Sequence, residues 1–219
     1  MADNKHLIAV TISRQLGAGG AVVGQRLAKR LGLRYLDSNV LRMAAEKCGA
    51  KEEDLARWDE HRAQFWEQLG RVFTLGVPEG MWQTFNAPLG IYDRDVFNLQ
   101  REVIREIAEK ESCVVIGRAG FWILRDHPGL VSVYLHASVE SRLERVEGIF
   151  KVDAPRARKM MAEIDADRAR FTQEVTGEGL HAENMHLCID TGRFSLETVE
   201  EMIVEAVEHV RAKLSKDRD

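Results

Sequence analysis

The segment of this chain best equipped for chemistry is Ser13-Arg14-Gln15-Leu16-Gly17-Ala18-Gly19-Gly20-Ala21. Glycines at 17, 19 and 20 let main-chain N–H groups approach an anion closely, and a further glycine stands at 24. An apolar helical pattern follows at Val22, Val23, Leu27, Ala28 and Leu31, and a short apolar run, Leu7 to Ile12, reads as a buried strand ahead of it. Strand, glycine loop and helix make a phosphate cradle, in which backbone amides and a helix N-terminus hold negative charge. The complete pattern closes with Gly-Lys-Ser/Thr, yet Gly20-Ala21 stands where the ammonium and the metal-binding hydroxyl belong. The cradle is written into the chain without its two chemical tools. The alternative is that these glycines serve only a tight strand-to-helix turn.

Other side chains could supply the missing charge. Arg14 adjoins the glycine loop and either contributes a cation there or pairs with Asp37. Arg118 follows an apolar run through Gly117, which places a guanidinium at a strand end, where it is either solvated or forked onto a phosphate. Asp37 is read as a metal partner, as the orienter of an acceptor, or as the N-cap of a helix starting near Val40. Between about Gly148 and Ala182 lie Arg156, Arg158, Arg168 and Arg170, then Gly177 and Gly179; this suits a mobile flap over phosphates or a solvated helical hairpin. His181 and His186 fit no zinc spacing, and no nucleophile elbow is present, so no metal site is assigned.

The elements that must position these groups are apolar runs separated by helical patterns. Strands are expected at Arg34 to Leu36, Cys113 to Ile116, Leu130 to Leu135 and His186 to Ile189. Helical spacing runs from Val96 to Ala108, and Ser195 could cap a last helix with Leu196, Val199, Ile203, Val207 and Val210 on one face. Alternation of this kind gives βαβ crossovers and a doubly wound parallel sheet. Ser13 to Gly20, Asp37-Ser38, Gly117-Arg118 and His136-Ala-Ser138 then gather at the carboxyl edge, where ligands of open α/β sheets bind. A long insertion, about Val40 to Asp95, carries the stripe Leu55, Trp58, Phe65, Trp66, Leu69 and Phe73 and reads as a substrate lid or a partner surface.

With 219 residues, 45% of them hydrophobic, the chain can bury the core of one α/β domain with an insertion. A net charge of −4 argues against a general nucleic-acid binder. Cys48, Cys113 and Cys188 are too scattered for a disulfide framework, and the latter two, set in apolar runs, are expected to be buried thiols. No stretch has signal-peptide or membrane-span character, which places the protein in the cytoplasm with no membrane partner.

Taken together, these residues resemble the cytidylate kinase-like proteins of the P-loop nucleoside monophosphate kinase superfamily, in the branch whose first loop reads Ser-Arg-x-x-Gly-Ser-Gly-Gly. The matching segments are Ser13 to Gly20, Leu27-Ala-Lys-Arg-Leu-Gly32, Tyr35-Leu-Asp37, Cys113-Val-Val-Ile-Gly-Arg118 and Asp165-Ala-Asp-Arg168. The resemblance implies a three-layer α/β/α fold on a five-stranded parallel sheet. It also implies a helical insertion gripping an acceptor nucleotide and a lid whose arginines close on ATP. Arg118 would hold the acceptor phosphate, and Arg168, with Arg170, would act from the lid. Asp37 would fall on the family's Tyr-Leu-Asp segment. Ile116 and Ala119 replace two acidic residues of authentic cytidylate kinases, and Arg42 is one position away from a phosphate-binding arginine. The implied reaction is ATP-dependent phosphorylation of a nucleoside monophosphate, cytidine monophosphate by analogy. ATP is the donor, and magnesium lacks its usual ligands. The competing expectation is a catalytically silent nucleotide or anion sensor on the same fold. A homodimer through the Trp58/Phe65/Trp66 stripe is compatible with either.

Overall fold

The computed structural model describes residues 7–37 and 94–216. Its first strand, β1 (Ala9–Arg14), is followed by α1 (Gly20–Leu31), β2 (Arg34–Leu36), α2 (Arg94–Lys110) and β3 (Cys113–Ile116). After these come the short α3 (Gly120–Ile123), β4 (Leu130–His136), α4 (Val139–Phe150), α5 (Ala154–Thr176), β5 (Leu187–Asp190) and α6 (Leu196–Lys216). The five strands are all parallel and lie in the order β2-β3-β1-β4-β5. This is the expected parallel α/β sheet.

Central strands are apolar on both sides because helices cover both faces. On one face Val10, Ile12, Val114, Ile116, Val133 and Leu135 pack with Val23 and Leu27 of α1 and with Val199, Ile203 and Val207 of α6. Each such aliphatic side chain contributes roughly 1.5–3 kcal/mol by leaving water. α1 buries Val23, Gly24, Leu27 and Ala28, a helical-period stripe, and ends at Gly32, whose left-handed conformation stops it. Gly24 is thus part of the helix and not of the loop: a Cβ there would collide with Ile116. On the other face α3 lies close to β1 and β3, since a Cβ on Gly120 would stand 3.1 Å from Val115 and 3.3 Å from Thr11.

Boundaries differ from the sequence reading where pairing outweighs side-chain character. β1 begins two residues late and runs through Arg14, which pairs with Leu135 of β4, so Arg14 is the last strand residue. β5 is shifted to Leu187–Asp190. It is an edge strand, and its Cys188 is exposed, contrary to the buried thiol expected; Cys113, at the base of β3, is buried and its thiol pKa is pushed up to about 12 by that burial. Ser195 does cap α6, its Oγ accepting from the Thr198 N–H at 3.1 Å. The segment read as a flap is mostly one 23-residue helix, α5, capped by Asp153 and stopped at left-handed Gly177.

Residues up to Leu36 and from Ile104 onward form one compact unit, and Asp37–Val103 form another. Of the second unit the structure describes Asp37 and the start of α2. Residues 38–93, which include Ser38, Arg42, Cys48 and the Trp58/Phe65/Trp66 stripe of the insertion, lie outside the described residues.

Candidate phosphate site

The loop between β1 and α1 makes its bend with two left-handed glycines, Gly17 at φ 81° and Gly19 at φ 78°. A Cβ at Gly17 would stand 2.9 Å from the carbonyl oxygen of Arg142, and one at Gly19 2.6 Å from Leu196, so α4 and α6 hold the outside of the loop. The N-cap residue of α1 is Gly19, which has no side chain to cap it, and the first turn carries no acidic residue. The partial positive charge of the helix start is therefore left to an acceptor from outside the helix.

Arg14 leaves the end of β1 and runs across Gly20: a Cβ there would stand 2.8 Å from Arg14 Cγ and 3.0 Å from its Cβ. Its guanidinium reaches the end of β3, where a Cβ on Gly117 would collide with Nη1. Gly117, Arg118 and Ala119 all have positive φ, 71°, 55° and 51°, in a left-handed turn closed by the Gly120 N–H on the Gly117 carbonyl at 3.0 Å. Two of these three residues carry side chains, a strain of about 1–2 kcal/mol for each. Backbone strain of this kind collects where a side chain must be aimed. The Arg118 guanidinium carbon lies 5.6 Å from the ring centroid of Phe171 on α5.

One turn earlier on α5, Arg168 donates to the main-chain oxygen of Arg14 at 3.2 Å and lies 3.9 Å from Asp165. Burial first, and the Arg14 charge second, lower its pKa to about 9. Asp165 accepts from the Leu16 N–H at 2.7 Å and from Arg142 at 2.6 Å, while Arg142 also donates to the carbonyls of Leu16 and Ala137. Arg145 ties the Gly17 carbonyl to Thr191 after β5. Thus α4 and α5 brace the loop through its backbone. Arg14 and Arg118 stand at the carboxyl ends of β1 and β3, and Arg168 is bonded to the Arg14 main chain.

Comparison with known proteins gives this strand–loop–helix its context. The sequence model of the cytidylate kinase-like family matches residues 9–193. The chain belongs to that family. Comparison of the sequence with curated proteins gives no match. Among solved structures, an uncharacterized protein from Eubacterium ventriosum is 22% identical with a TM-score of 0.68, covering 92% of this chain and 98% of that one. A gluconokinase from Sinorhizobium meliloti is 15% identical with a TM-score of 0.54, covering 99% and 100%. A shikimate kinase from Bacteroides thetaiotaomicron is 14% identical with a TM-score of 0.50, covering 92% and 98%. At these identities the likeness is one of fold, that of P-loop kinases.

Within this cytidylate kinase-like chain the sequence-named residues are placed unequally. Ser13, Ala18 and Gly20 are buried in or beside the loop, and Ala21 follows in the first turn of α1. Asp37 closes β2, is buried, and opens the second unit. Arg170 is on the outer side of α5, exposed and paired with Asp167 at 3.1 Å, apart from the face that carries Asp165, Arg168 and Phe171. Sequence reasoning missed Asp165, Arg142, Arg145 and Gln15 as loop supports, the last through its side-chain oxygen, which accepts from the Ala137 N–H at 3.1 Å. A signal existed for three of them: Asp165 sits three residues before Arg168, and Arg142 and Arg145 share one helical face just after His136-Ala-Ser138.

Magnesium, which the family implies, finds few of its usual ligands among the residues present. The first turn of α1, Gly20-Ala21-Val22, offers no hydroxyl, and no cluster of three acidic, thiol or imidazole side chains occurs among the described residues. These residues do not fit a protein-held metal. A groove of about 600 Å³ adjoins the loop through Gln15 and is lined by Tyr134, His136, Ser138, Cys188 and Asp190, with the Tyr134 and His136 rings stacked 5.9 Å apart. Among the described residues no helix is long and apolar enough to cross a membrane.

Proposed function

We propose that this protein is a phosphotransferase that passes the terminal phosphoryl group of ATP to a nucleoside monophosphate, with cytidine monophosphate as the first acceptor to try. The observation that supports this reading most is the placement of Arg14, Arg118 and Arg168 at the carboxyl edge of the sheet, on the same edge as a helix start whose N-cap is a glycine. Phosphoryl transfer needs little covalent help from a protein. It needs two phosphates held in line and the charge that spreads over the moving group neutralised. In this reading the amides of the loop and α1 hold the donor, and Arg118 forks onto the acceptor phosphate. Arg168, held by Asp165 on α5, neutralises the moving group. Metal accompanies the donor as part of the substrate. The acceptor is a small nucleotide, and the reaction belongs to a reducing cytoplasm, in keeping with free Cys113 and Cys188.

Single-turnover transfer from ATP across the nucleoside monophosphates tests it: product with one of them, lost in Arg118→Ala, is the expected result. Blank reactions with every acceptor would refute it. The absence of both lysine and hydroxyl from the first turn of α1 favours a second reading, a nucleotide sensor without turnover. Under that reading ATP raises the melting temperature and no ADP accumulates.

A further inference from the structure

We propose that this loop has exchanged the places of a glycine and a cation, so that Arg14 serves the transferred phosphate from the position where the phosphate-loop pattern has its first glycine. The inference rests on the phosphotransferase reading above and names the residue that replaces the lysine. Set the pattern G-x-x-x-x-G-K-[ST] with its second glycine at Gly19, where the left-handed bend enters α1. The lysine then falls at Gly20, and the opening glycine falls at Arg14. Large and small residues have traded ends.

The packing explains why both changes occur together. Arg14 Cγ, Cβ and Cδ would stand 2.8, 3.0 and 3.3 Å from a Cβ on Gly20, so its methylene stem occupies the space a lysine stem would need. Either residue fits there alone. Beyond the stem, the guanidinium touches Gly117, the residue before Arg118. Its charge therefore stands between the donor cradle and the acceptor fork, where negative charge develops during transfer. A guanidinium presents several fixed donors and can bridge oxygens of two phosphates, which a lysine ammonium does as a point charge only. The bond from Arg168 to the Arg14 carbonyl holds the strand end that carries it.

The test is calorimetric titration of the whole protein with ATP and with inorganic tripolyphosphate, alongside circular dichroism and melting temperature. Wild type binds both, and Arg14→Gln loses about tenfold or more while keeping its fold. Gly20→Lys alone is overcrowded, melts lower and gains no affinity. The double variant Arg14→Gly/Gly20→Lys, which rebuilds the ordinary pattern, returns to within about threefold of wild type. Wild-type affinity in a folded Arg14→Gln, or a folded double variant no better than Arg14→Gln, overturns the exchange and leaves the phosphotransferase reading standing. Wild type that binds neither ligand overturns both. Should the double variant not fold, Arg14→Lys decides: affinity well above that of Arg14→Gln supports the exchange, and equal weakness overturns it.

Discussion

Arg168 carries its charge under protest, held well below the ordinary arginine range by burial and by the neighbouring Arg14. Below about pH 9 it is protonated, and a bound polyphosphate favours that form. Affinity for ATP is therefore expected to stay level between about pH 6.5 and 8 and to fall as pH passes about 9. The stability contribution runs the other way: above about pH 9 the unfolded chain retains the proton more readily than the folded one, so this group favours folding increasingly as pH rises. Titrations over that range, with Arg168→Gln as the variant lacking the inflection, check the binding half. A second residue-scale expectation concerns Ala119, held at φ 51°. Ala119→Gly relieves a left-handed side chain and gains about 1 kcal/mol in urea denaturation. The same change loosens the turn that carries Arg118 and, under the phosphotransferase reading proposed above, is expected to weaken acceptor binding. The Gly-Arg pair after β3 was legible in sequence, but only Gly117 advertises positive φ. Nothing in Arg118-Ala119 announces that both follow it into the left-handed region.

Strand β1 carries a liability at Thr11, whose buried Oγ1 has no hydrogen-bond partner among the described residues. Thr11→Val removes an unsatisfied hydroxyl at nearly constant shape and is expected to add about 1 kcal/mol, or about 2–4 °C in melting temperature. Helix α5 makes the opposite case. Asp165 is the acceptor for both the Leu16 amide and Arg142, and the Arg142 side chain is only 7% exposed. Asp165→Asn strands that buried cation and is expected to cost about 3 kcal/mol in denaturant unfolding, with weaker ATP binding because the loop loses its brace. Strands β2 and β3 were legible to the residue because short apolar runs bounded by polar residues admit one placement. The ends of β1 and β5 were not, because pairing with β4 decides them, and a partner strand leaves no local mark. α5 was legible as a cationic segment, but that one of its faces turns Arg168 inward while Arg170 stays in solvent depends on tertiary contact.

For the molecule as a whole, a ligand that binds only the folded chain raises its stability by mass action. ATP at a hundred times its dissociation constant should add about 2.7 kcal/mol, and the rise in melting temperature should shrink in Arg118→Ala. Differential scanning across nucleotides reads this directly. The parallel sheet and its edge of loops could be read from alternation of strand and helix, and the cradle from its glycines. What composition and spacing left open was which cation stands over the loop, because Arg14 lies next to it in sequence whatever its side chain does. The close packing of Arg14 on Gly20 also constrains descent. Lysine arriving at position 20 first would crowd its neighbour, and arginine leaving position 14 first would strip the loop of that charge. If the exchange proposed above holds, a lineage passes between the two arrangements only by paired mutation or through a handicapped ancestor, and a search keyed to the lysine would overlook a charge kept at the other end of the loop.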